Sequence, residues 1–158
     1  MTTHEIKLNV NGEEYLLEVA PDRRLLDVLR EDLRLHSVRE GCGIGLCGTC
    51  TILVDGKAIS SCLMLASQAR GKEITTVEGL SKNGRLHPVQ EAFIKHSAFQ
   101  CAYCTPGFIL SAIALLTEDP NPDEDTIREY LAGNICRCGS YLNILEAVKV
   151  VGKESRDE

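Results

Sequence analysis

Residues 40–50 read Glu-Gly-Cys-Gly-Ile-Gly-Leu-Cys-Gly-Thr-Cys, and this stretch decides how the first half of the chain folds. Its glycines, at positions 41, 43, 45 and 48, lie beside and between three cysteines. Glycine takes positive φ angles at no steric cost, so the segment can wrap closely around a compact anionic group. Backbone N–H groups of such a loop can point at sulfur atoms and stabilise their negative charge. The stretch therefore predicts a loop that holds a metal centre through Cys42, Cys47 and Cys50.

The eight cysteines of the chain fall into two sets of four. The first set is Cys42, Cys47, Cys50 and Cys62, and the second is Cys101, Cys104, Cys136 and Cys138. Four thiolates can hold one tetrahedral zinc ion or the two irons of one [2Fe–2S] cluster. The C-x4-C-x2-C run of the first set is the spacing of plant-type ferredoxins, whereas zinc sites usually show paired C-x2-C knuckles. The spacing favours clusters, and structural zinc is the alternative.

The composition is that of a globular, acidic protein. Of 158 residues, 44% are hydrophobic and 25% are charged, which excludes wholesale disorder. The net charge is -6 and no basic run occurs, so we expect no nucleic-acid partner. No signal-peptide pattern precedes the first predicted strand, which favours a cytoplasmic location and disfavours disulfides. The apolar run at residues 108–116 is too short for a membrane span, which needs about 20 apolar residues.

The first half has the pattern of a small α+β domain. Asn11-Gly12 and Asp55-Gly56 each stand between alternating apolar segments, which is typical of tight hairpins. Strands are predicted at residues 6–10, 15–19, 51–54, 57–60 and 74–77. A helix that opens at Pro21-Asp22 carries leucines on one face, at positions 25, 26, 29 and 33.

After a boundary at residues 79–84, which are rich in Gly, Ser, Lys and Asn, the period of the apolar residues becomes helical. Helices are predicted roughly at His87–Ser97, Pro106–Thr117, Asp123–Ala132 and Tyr141–Val151, which makes a four-helix bundle. The predicted domains are residues 1–79 and 80–158, and the second ends in a short disordered tail at residues 153–158. Thr105 and Ser140 are predicted N-caps, which would bring two positive helix ends next to the second cysteine set.

On its motifs the chain resembles the small iron–sulfur subunit of the xanthine oxidase family of molybdenum hydroxylases. The motifs are Glu-Gly-Cys-x-x-Gly-x-Cys-Gly-x-Cys at 40–50, Cys62, Gln-Cys-x-Tyr-Cys-Thr-Pro-Gly at 100–107 and Gly-Asn-x-Cys-Arg-Cys at 133–138. The resemblance implies an N-terminal β-grasp plant-type ferredoxin domain followed by a C-terminal four-helix bundle. Each domain would bind one [2Fe–2S] cluster through its four cysteines.

The resemblance also implies an electron-transfer role without catalysis in this chain. A large subunit would carry the molybdopterin cofactor, and a medium subunit would carry FAD. Electrons would leave molybdenum through the second-domain cluster and reach FAD or another acceptor through the first. Gln100 and Cys138 would lie closest to the pterin. For Gln100 the alternative is a hydrogen bond to local backbone. Many relatives have Gly where this chain has Ala102, and Thr-Gly where it has Gly139-Ser140.

Two other functions remain open at this point. The chain could be an independent soluble two-cluster ferredoxin that shuttles electrons between proteins, which its acidic charge also suits. It could, with less support from the spacing, be a binding module stabilised by structural zinc. Co-purification with larger subunits separates the first alternative from the family function, and metal analysis separates the second.

Overall fold

The computed structural model describes residues 3–154, and their first half is built on one five-stranded sheet. The strands are β1 (His4–Val10), β2 (Glu13–Val19), β3 (Thr51–Val54), β4 (Lys57–Ser60) and β5 (Glu73–Thr75). They lie in the order β2-β1-β5-β3-β4. β1 and β5 are parallel, and all other neighbouring strands are antiparallel. The sheet is therefore mixed, with β5 inserted between two hairpins.

Both hairpins turn where the sequence predicts. Asn11 and Gly12 take φ angles of 56° and 82°, and Asp55 and Gly56 take 50° and 78°. A type I′ turn needs positive φ at both central residues, and Asn, Asp and Gly tolerate this conformation best. The strands that flank each turn are paired in antiparallel register, which confirms both predicted hairpins.

The helix that covers the sheet differs from the expected one. It begins at Leu25 rather than Pro21, as a single turn (α1, Leu25–Asp27), and continues as a π-helical turn over Val28–Asp32. The N–H of Leu33 donates to the carbonyl of Val28, five residues back, over 3.1 Å. The side chains at positions 25, 26, 28 and 29 are all at most 1% exposed. Arg24 is extended and pairs with Leu65, so the helix cannot begin before Leu25. The π-helical turn that follows accompanies the burial of four apolar residues among five positions.

The last strand also ends earlier than expected. β5 stops at Thr75, and a 3₁₀ turn covers Val77–Gly79, although the alternation predicts a strand to Val77. Thr76 is fully buried, and its N–H donates to the side-chain oxygen of Asn11 over 2.9 Å rather than to a neighbouring strand. This hydrogen bond takes the chain out of the sheet at the start of the second half.

The second half is helical. Its helices are α2 (Pro88–Lys95), α3 (Thr105–Glu118), α4 (Glu124–Tyr130) and α5 (Tyr141–Glu154), with a 3₁₀ turn at Leu131–Gly133. All four predicted helices are therefore present, with ends shifted by no more than three residues. Their shared core includes Val89, Phe93, Phe108, Ile127 and Val148, each at most 1% exposed.

Helix α3 lies between the two halves. Its residues Leu110 and Ala114 pack with Leu53 of β3, while other residues of the same helix belong to the helical core. A helix that is buried on several sides must be apolar around most of its circumference, which explains the uncharged run in the sequence. Within residues 3–154, no helix is long and apolar enough to span a membrane.

A mixed sheet followed by a helical unit makes the chain an α+β protein, as predicted. The disordered tail predicted at residues 153–158 is wrong for residues 153 and 154, which belong to α5, and residues 155–158 lie outside the described residues.

Candidate functional site

The loop between α1 and β3 carries three thiols of the first set. The sulfur of Cys42 accepts hydrogen bonds from the backbone N–H groups of Leu46 (3.3 Å) and Ile44 (3.5 Å). Gly43 and Gly45 take φ angles of 68° and 77°, a conformation that other residues adopt only with strain. The glycines predicted to let the loop wrap thus precede the two N–H donors that face the sulfur.

Cys50 and Cys62 form the buried side of the first set. They are 3% and 4% exposed, and their thiols are hydrogen-bonded to each other. The hydroxyl of Ser61 donates to the carbonyl of Cys50 over 2.7 Å, which joins the start of β3 to the turn after β4. Cys42 and Cys47 form a second hydrogen-bonded thiol pair. The first set therefore consists of two pairs of thiols.

Cys42 and Cys62, one thiol from each pair, differ in acidity. The backbone N–H of Ile44 lowers the pKa of the Cys42 thiol to about 7. Burial raises the pKa of Cys62 to about 11. The thiolate is the form that binds metal, and a substantial fraction of Cys42 is already thiolate near neutral pH. Cys62 must release its proton to solvent when it binds a metal centre, so metal binding by the first set is favoured by higher pH.

The second set is also made of two thiol pairs. The sulfur atoms of Cys101 and Cys138 are 3.5 Å apart. The thiols of Cys104 and Cys136 are hydrogen-bonded to each other. In each pair one cysteine precedes α3 and the other follows α4, so the folding of the helices is what brings the set together.

The N-termini of α3 and α5 lie next to the second set, as predicted. Cys104 directly precedes α3, and its carbonyl accepts the first helical hydrogen bond from Phe108 over 3.2 Å. Ser140 directly precedes α5, and its N–H donates to the sulfur of Cys136 over 3.4 Å. The partial positive charge of a helix N-terminus stabilises a thiolate. Both helices are therefore oriented to favour negative charge on this set.

In the second set the two thiols of the Cys104–Cys136 pair differ in acidity. Burial raises the pKa of Cys104 to about 12. Burial also acts to raise the pKa of Cys136, but the N–H groups of Ser140 and Cys138, with the Cys104 thiol, outweigh it, and the pKa is lowered. The backbone N–H of Tyr103 lowers the pKa of Cys101 in the other pair. Each pair of the second set thus contains a thiol that is easier to ionise than a free cysteine.

The prediction that Thr105 caps α3 is wrong. The helix begins at Thr105 itself, and Cys104 occupies the cap position with nearly helical angles, φ -84° and ψ -13°. Because the helix extends one residue further toward the thiols, the Thr105 hydroxyl does not bond a backbone N–H of the first turn. Its oxygen is buried and has no hydrogen-bond partner among residues 3–154.

The donor chemistry of both sets fits a diiron cluster better than a single ion. In a [2Fe–2S] cluster, four cysteine thiolates are shared between two irons, which suits two pairs of thiols. Within residues 3–154, no three His, Cys, Asp or Glu side chains are close enough together to hold one metal ion. The partnerless hydroxyl of Thr105 adjoins Cys104, where a bound sulfide would offer an acceptor. A Cβ on Gly41 would lie 2.7 Å from the sulfur of Cys47, so the loop wall fits closely around the thiol.

Gln100, predicted to contact a pterin, lies beside the second set. Its amide nitrogen donates to the backbone carbonyl of Cys138 over 3.1 Å, and its side chain is exposed. This is a backbone bond but not the local one considered from the sequence, because Cys138 lies 38 residues further along the chain. It also joins Gln100 to Cys138, the other residue assigned to the pterin side.

The loops of the two sets are in direct contact. The carbonyl of Cys47 accepts a hydrogen bond from the N–H of Ile135 over 3.0 Å. The carbonyl of Gly48 accepts another from the side-chain amide of the buried Asn134 over 3.1 Å. Cys136 follows Ile135 in the chain, so one hydrogen bond and a few covalent bonds connect a cysteine of each set.

Several contacts that support the two sets could not be predicted from the sequence, although one of the residues, Asn134, belongs to the motif at 133–138. The N–H of Cys136 donates to the hydroxyl of Tyr141 over 2.8 Å. Asn134 and Arg39 bridge the two halves through backbone carbonyls. These partners are far apart in sequence or depend on a particular rotamer, and neither leaves a periodic pattern. For Tyr141, its place three residues after Cys138 is the only sequence signal.

Known proteins match this chain over both halves. Residues 8–80 match the 2Fe-2S iron-sulfur cluster binding domain, and residues 76–149 match the [2Fe-2S] binding domain. The small FeS subunit of nicotinate dehydrogenase from Eubacterium barkeri is 46% identical over 144 residues, which cover 91% of this chain and 92% of that subunit's length. A structure of quinoline 2-oxidoreductase from Pseudomonas putida 86 superposes with a TM-score of 0.93 at 41% identity, covering 98% of this chain and 97% of the other.

A larger protein contains the same unit. The aldehyde oxidoreductase of Desulfovibrio desulfuricans ATCC 27774 superposes with a TM-score of 0.92 at 43% identity, and the match covers 98% of this chain but 17% of that one. Both binding domains are therefore matched in this chain, one in each half. The chain belongs to the small iron–sulfur subunits of the xanthine oxidase family of molybdenum hydroxylases, and it is an electron-transfer subunit with two [2Fe–2S] clusters.

Proposed function

We propose that the chain carries electrons between two larger subunits, receiving them at its second half and delivering them from its first. The contact between Cys47 and Ile135 carries this proposal, because it connects the two thiol sets by a short route. Each cluster, when bound, supplies a one-electron redox centre. The residues of this chain hold the two centres, orient them and limit their contact with water.

The proposed ligands are the four thiols of each set. Cys42, Cys47, Cys50 and Cys62 would hold the first cluster, and Cys101, Cys104, Cys136 and Cys138 the second. The hydrogen-bonded thiol pairs support a division of two ligands to each iron. We further propose that residues 1–79 form a β-grasp domain and residues 80–158 a four-helix bundle, which the order of sheet and helices supports.

For the second half we propose a partner that carries molybdopterin. Gln100 and Cys138 would face the pterin, since an exposed amide can both donate to and accept from a pterin edge. Ile135, Tyr141 and Leu142 are 50%, 44% and 70% exposed on the same half of the chain. Large exposed apolar side chains are typical of surfaces that a partner covers. In the larger aldehyde oxidoreductase the same unit is part of a longer chain. This supports a larger catalytic partner for the present chain.

For the first half we propose an FAD-binding medium subunit. Ile44, Leu46 and Leu63 are 64%, 66% and 65% exposed around the first thiol set. A Cβ on Gly45 would lie 2.3 Å from a methyl group of Leu63, so Leu63 packs directly on the loop between Ile44 and Leu46. The net charge of -6 supports our expectation that nucleic acid is not a partner. Eight free thiols suit a reducing compartment, so we propose a cytoplasmic complex.

For the substrate of the complex we propose an N-heterocycle or an aldehyde. The names of the relatives refer to nicotinate, quinoline and aldehydes, and substrate selection would belong to the large subunit. Turnover of a panel of pyridine, quinoline and aldehyde compounds by the assembled complex tests this choice. A complex that oxidises none of them and oxidises another class would contradict it.

Purification from the native cells tests the proposed assembly. We expect the chain to elute with two larger subunits, with about four irons for each copy of the chain, as two [2Fe–2S] clusters require. A stable monomer that takes electrons from a reductase would instead indicate a free ferredoxin. Zinc in place of iron would indicate a structural module.

Ligand substitutions test the direction of electron flow. Cys101→Ser or Cys136→Ser should stop transfer from the substrate to the acceptor while the first cluster keeps its EPR signal. Cys47→Ser should spare the second cluster, which substrate then still reduces, but block delivery to flavin. Unchanged turnover with the physiological acceptor in any of these variants would show that the route is wrong.

A further inference from the structure

Arg39 extends from the first half of the chain to the second thiol set. Its guanidinium donates to the carbonyl of Tyr103 over 3.1 Å and also to the carbonyl of Ala102. The guanidinium carbon lies 5.3 Å from the centre of the Tyr103 ring, within the range of a cation–π contact. The side chain is therefore held by three contacts, all of them in the segment between Cys101 and Cys104.

Tyr103 makes the reciprocal contact. Its hydroxyl donates to the carbonyl of Glu40, the residue after Arg39, over 2.8 Å. We call these two residues the Arg39–Tyr103 clamp. Because each side chain bonds the backbone beside the other, the clamp fixes the loop before the first thiol set against the loop that carries the start of the second.

The positive charge of the Arg39 guanidinium lies next to the peptide between Ala102 and Tyr103. Ala102 has a φ of 58°, a left-handed conformation that L-residues with a Cβ adopt only with strain. This conformation directs its carbonyl to Arg39. The N–H of the same peptide, on Tyr103, lowers the pKa of the Cys101 thiol, as a backbone donor to its sulfur does. A cation bound to the carbonyl of a peptide polarises it and strengthens the hydrogen bond that its N–H donates.

We propose that Arg39 is a positioning residue for the second cluster. The Arg39 side chain holds the Ala102–Tyr103 peptide so that the N–H of this peptide donates to Cys101. N–H donors to ligand sulfur stabilise the more negative, reduced state and raise the reduction potential. Arg39, a residue of the first half, therefore raises the reduction potential of the cluster in the second half. The nearest carboxylate in sequence, Glu40, is paired with Arg24 at 2.8 Å and so does not cancel the charge of Arg39. This inference rests on the proposed assignment of Cys101 as a ligand.

The test is a redox titration of both clusters in the purified complex, followed by low-temperature EPR. The Cys101→Ser variant identifies the signal of the second cluster and checks the ligand assignment independently of Arg39. For Arg39→Met we expect the equilibrium constant for reduction of the second cluster to fall about tenfold, which is about 59 mV for one electron. The first cluster should shift by less.

Arg30 provides the matched control. It is an arginine of the first half that donates to the carbonyl of Val38 over 3.1 Å, so it supports the same loop without reaching the second half. Arg30→Met should leave the potential of the second cluster unchanged. An equal shift in both arginine variants would show that loosening of the loop, rather than the clamp, is the cause.

The variant Arg39→Lys separates charge from orientation. Lysine keeps the positive charge but lacks the planar fork that reaches both carbonyls, so we expect an intermediate potential. Full recovery of the native potential would overturn the proposal, because charge alone would then suffice. If Arg39→Met fails to load the second cluster, the lysine variant decides: a lowered potential supports the proposal, and an unchanged one contradicts it. An unchanged second cluster in a fully loaded Arg39→Met complex would likewise overturn it.

Discussion

At the scale of single residues, backbone dipoles rather than charged side chains surround the thiols. Ile44 and Leu46 donate their N–H groups to Cys42, and Ser140 donates its N–H to Cys136. Such donors are fixed by the fold, so they stabilise a negatively charged centre without the entropy cost of ordering long side chains. The sites should therefore be sensitive to changes in how closely the backbone approaches the sulfur atoms.

Gly41→Ala tests this sensitivity. The added Cβ would lie 2.7 Å from the sulfur of Cys47 and 3.0 Å from the hydroxyl oxygen of Thr49, so the loop would have to move. We expect the variant to lose most of its first cluster and to keep the second, measured by EPR of the reduced complex. Gly133→Ala is the control, since a Cβ there meets nothing within 4 Å. Equal loading of both clusters in Gly41→Ala would contradict the expectation.

Tyr141→Phe tests a polar contact that no motif reveals. The phenol oxygen accepts the N–H of the buried Cys136, while the ring packs edge-on against Phe108 at 6.2 Å. Phenylalanine keeps the ring and leaves that N–H without an acceptor, which costs about 1–3 kcal/mol. Thermal unfolding should show this loss, whereas Tyr15→Phe, which removes an exposed bond to Glu13, should be nearly neutral. Similar midpoints for both variants would show that water replaces the phenol.

At the scale of elements, local patterns predicted most of the fold, and the cysteine spacing predicted which thiols belong to each proposed set. The hairpins at Asn11-Gly12 and Asp55-Gly56 and the four helices of the second half follow from turn chemistry and apolar period, which are local. The π turn at Val28–Asp32 could not be predicted in this way, because packing against the sheet decides how many apolar residues must be buried there. Tertiary structure also decides that Thr105 does not cap α3 and that the two loops contact each other.

Helix α3 is the element that joins the two cores, and Leu110→Ala tests that role. Leu110 is 1% exposed and packs with Leu53 of the sheet. Truncation of a buried leucine costs about 2–5 kcal/mol, so we expect the thermal midpoint to fall by about 5–15 °C. Leu16→Ala on β2 is the control, because Leu16 is 66% exposed. If both variants melt at the same temperature, α3 does not couple the cores.

At the scale of the whole molecule, both thiol sets lie at the junction between the halves. The backbone of Cys47 bonds Ile135, and the carbonyl of Gly48 meets Asn134 and the N-terminal part of α3, where a Cβ on Gly107 would lie 2.2 Å from it. Transfer between two centres depends on their separation, so a rigid junction keeps that separation constant. The family role thus rests on how closely the two loops pack, as well as on the thiols themselves.

Asn134→Ala should loosen this junction without removing a ligand. The amide of Asn134 is one of three donors to the carbonyl of Gly48, and Thr51 supplies the other two, so the carbonyl keeps its partners when the amide is removed. We therefore expect a cost of about 1 kcal/mol in stability, full loading of both clusters and a weaker magnetic interaction between them in the doubly reduced complex. Asn143→Ala removes a comparable amide bond, to Ser97, that stays within the helical half, and should leave the magnetic interaction unchanged. If the EPR splitting of Asn134→Ala equals that of the native complex, the remaining contacts between the loops set the spacing of the clusters without this side chain.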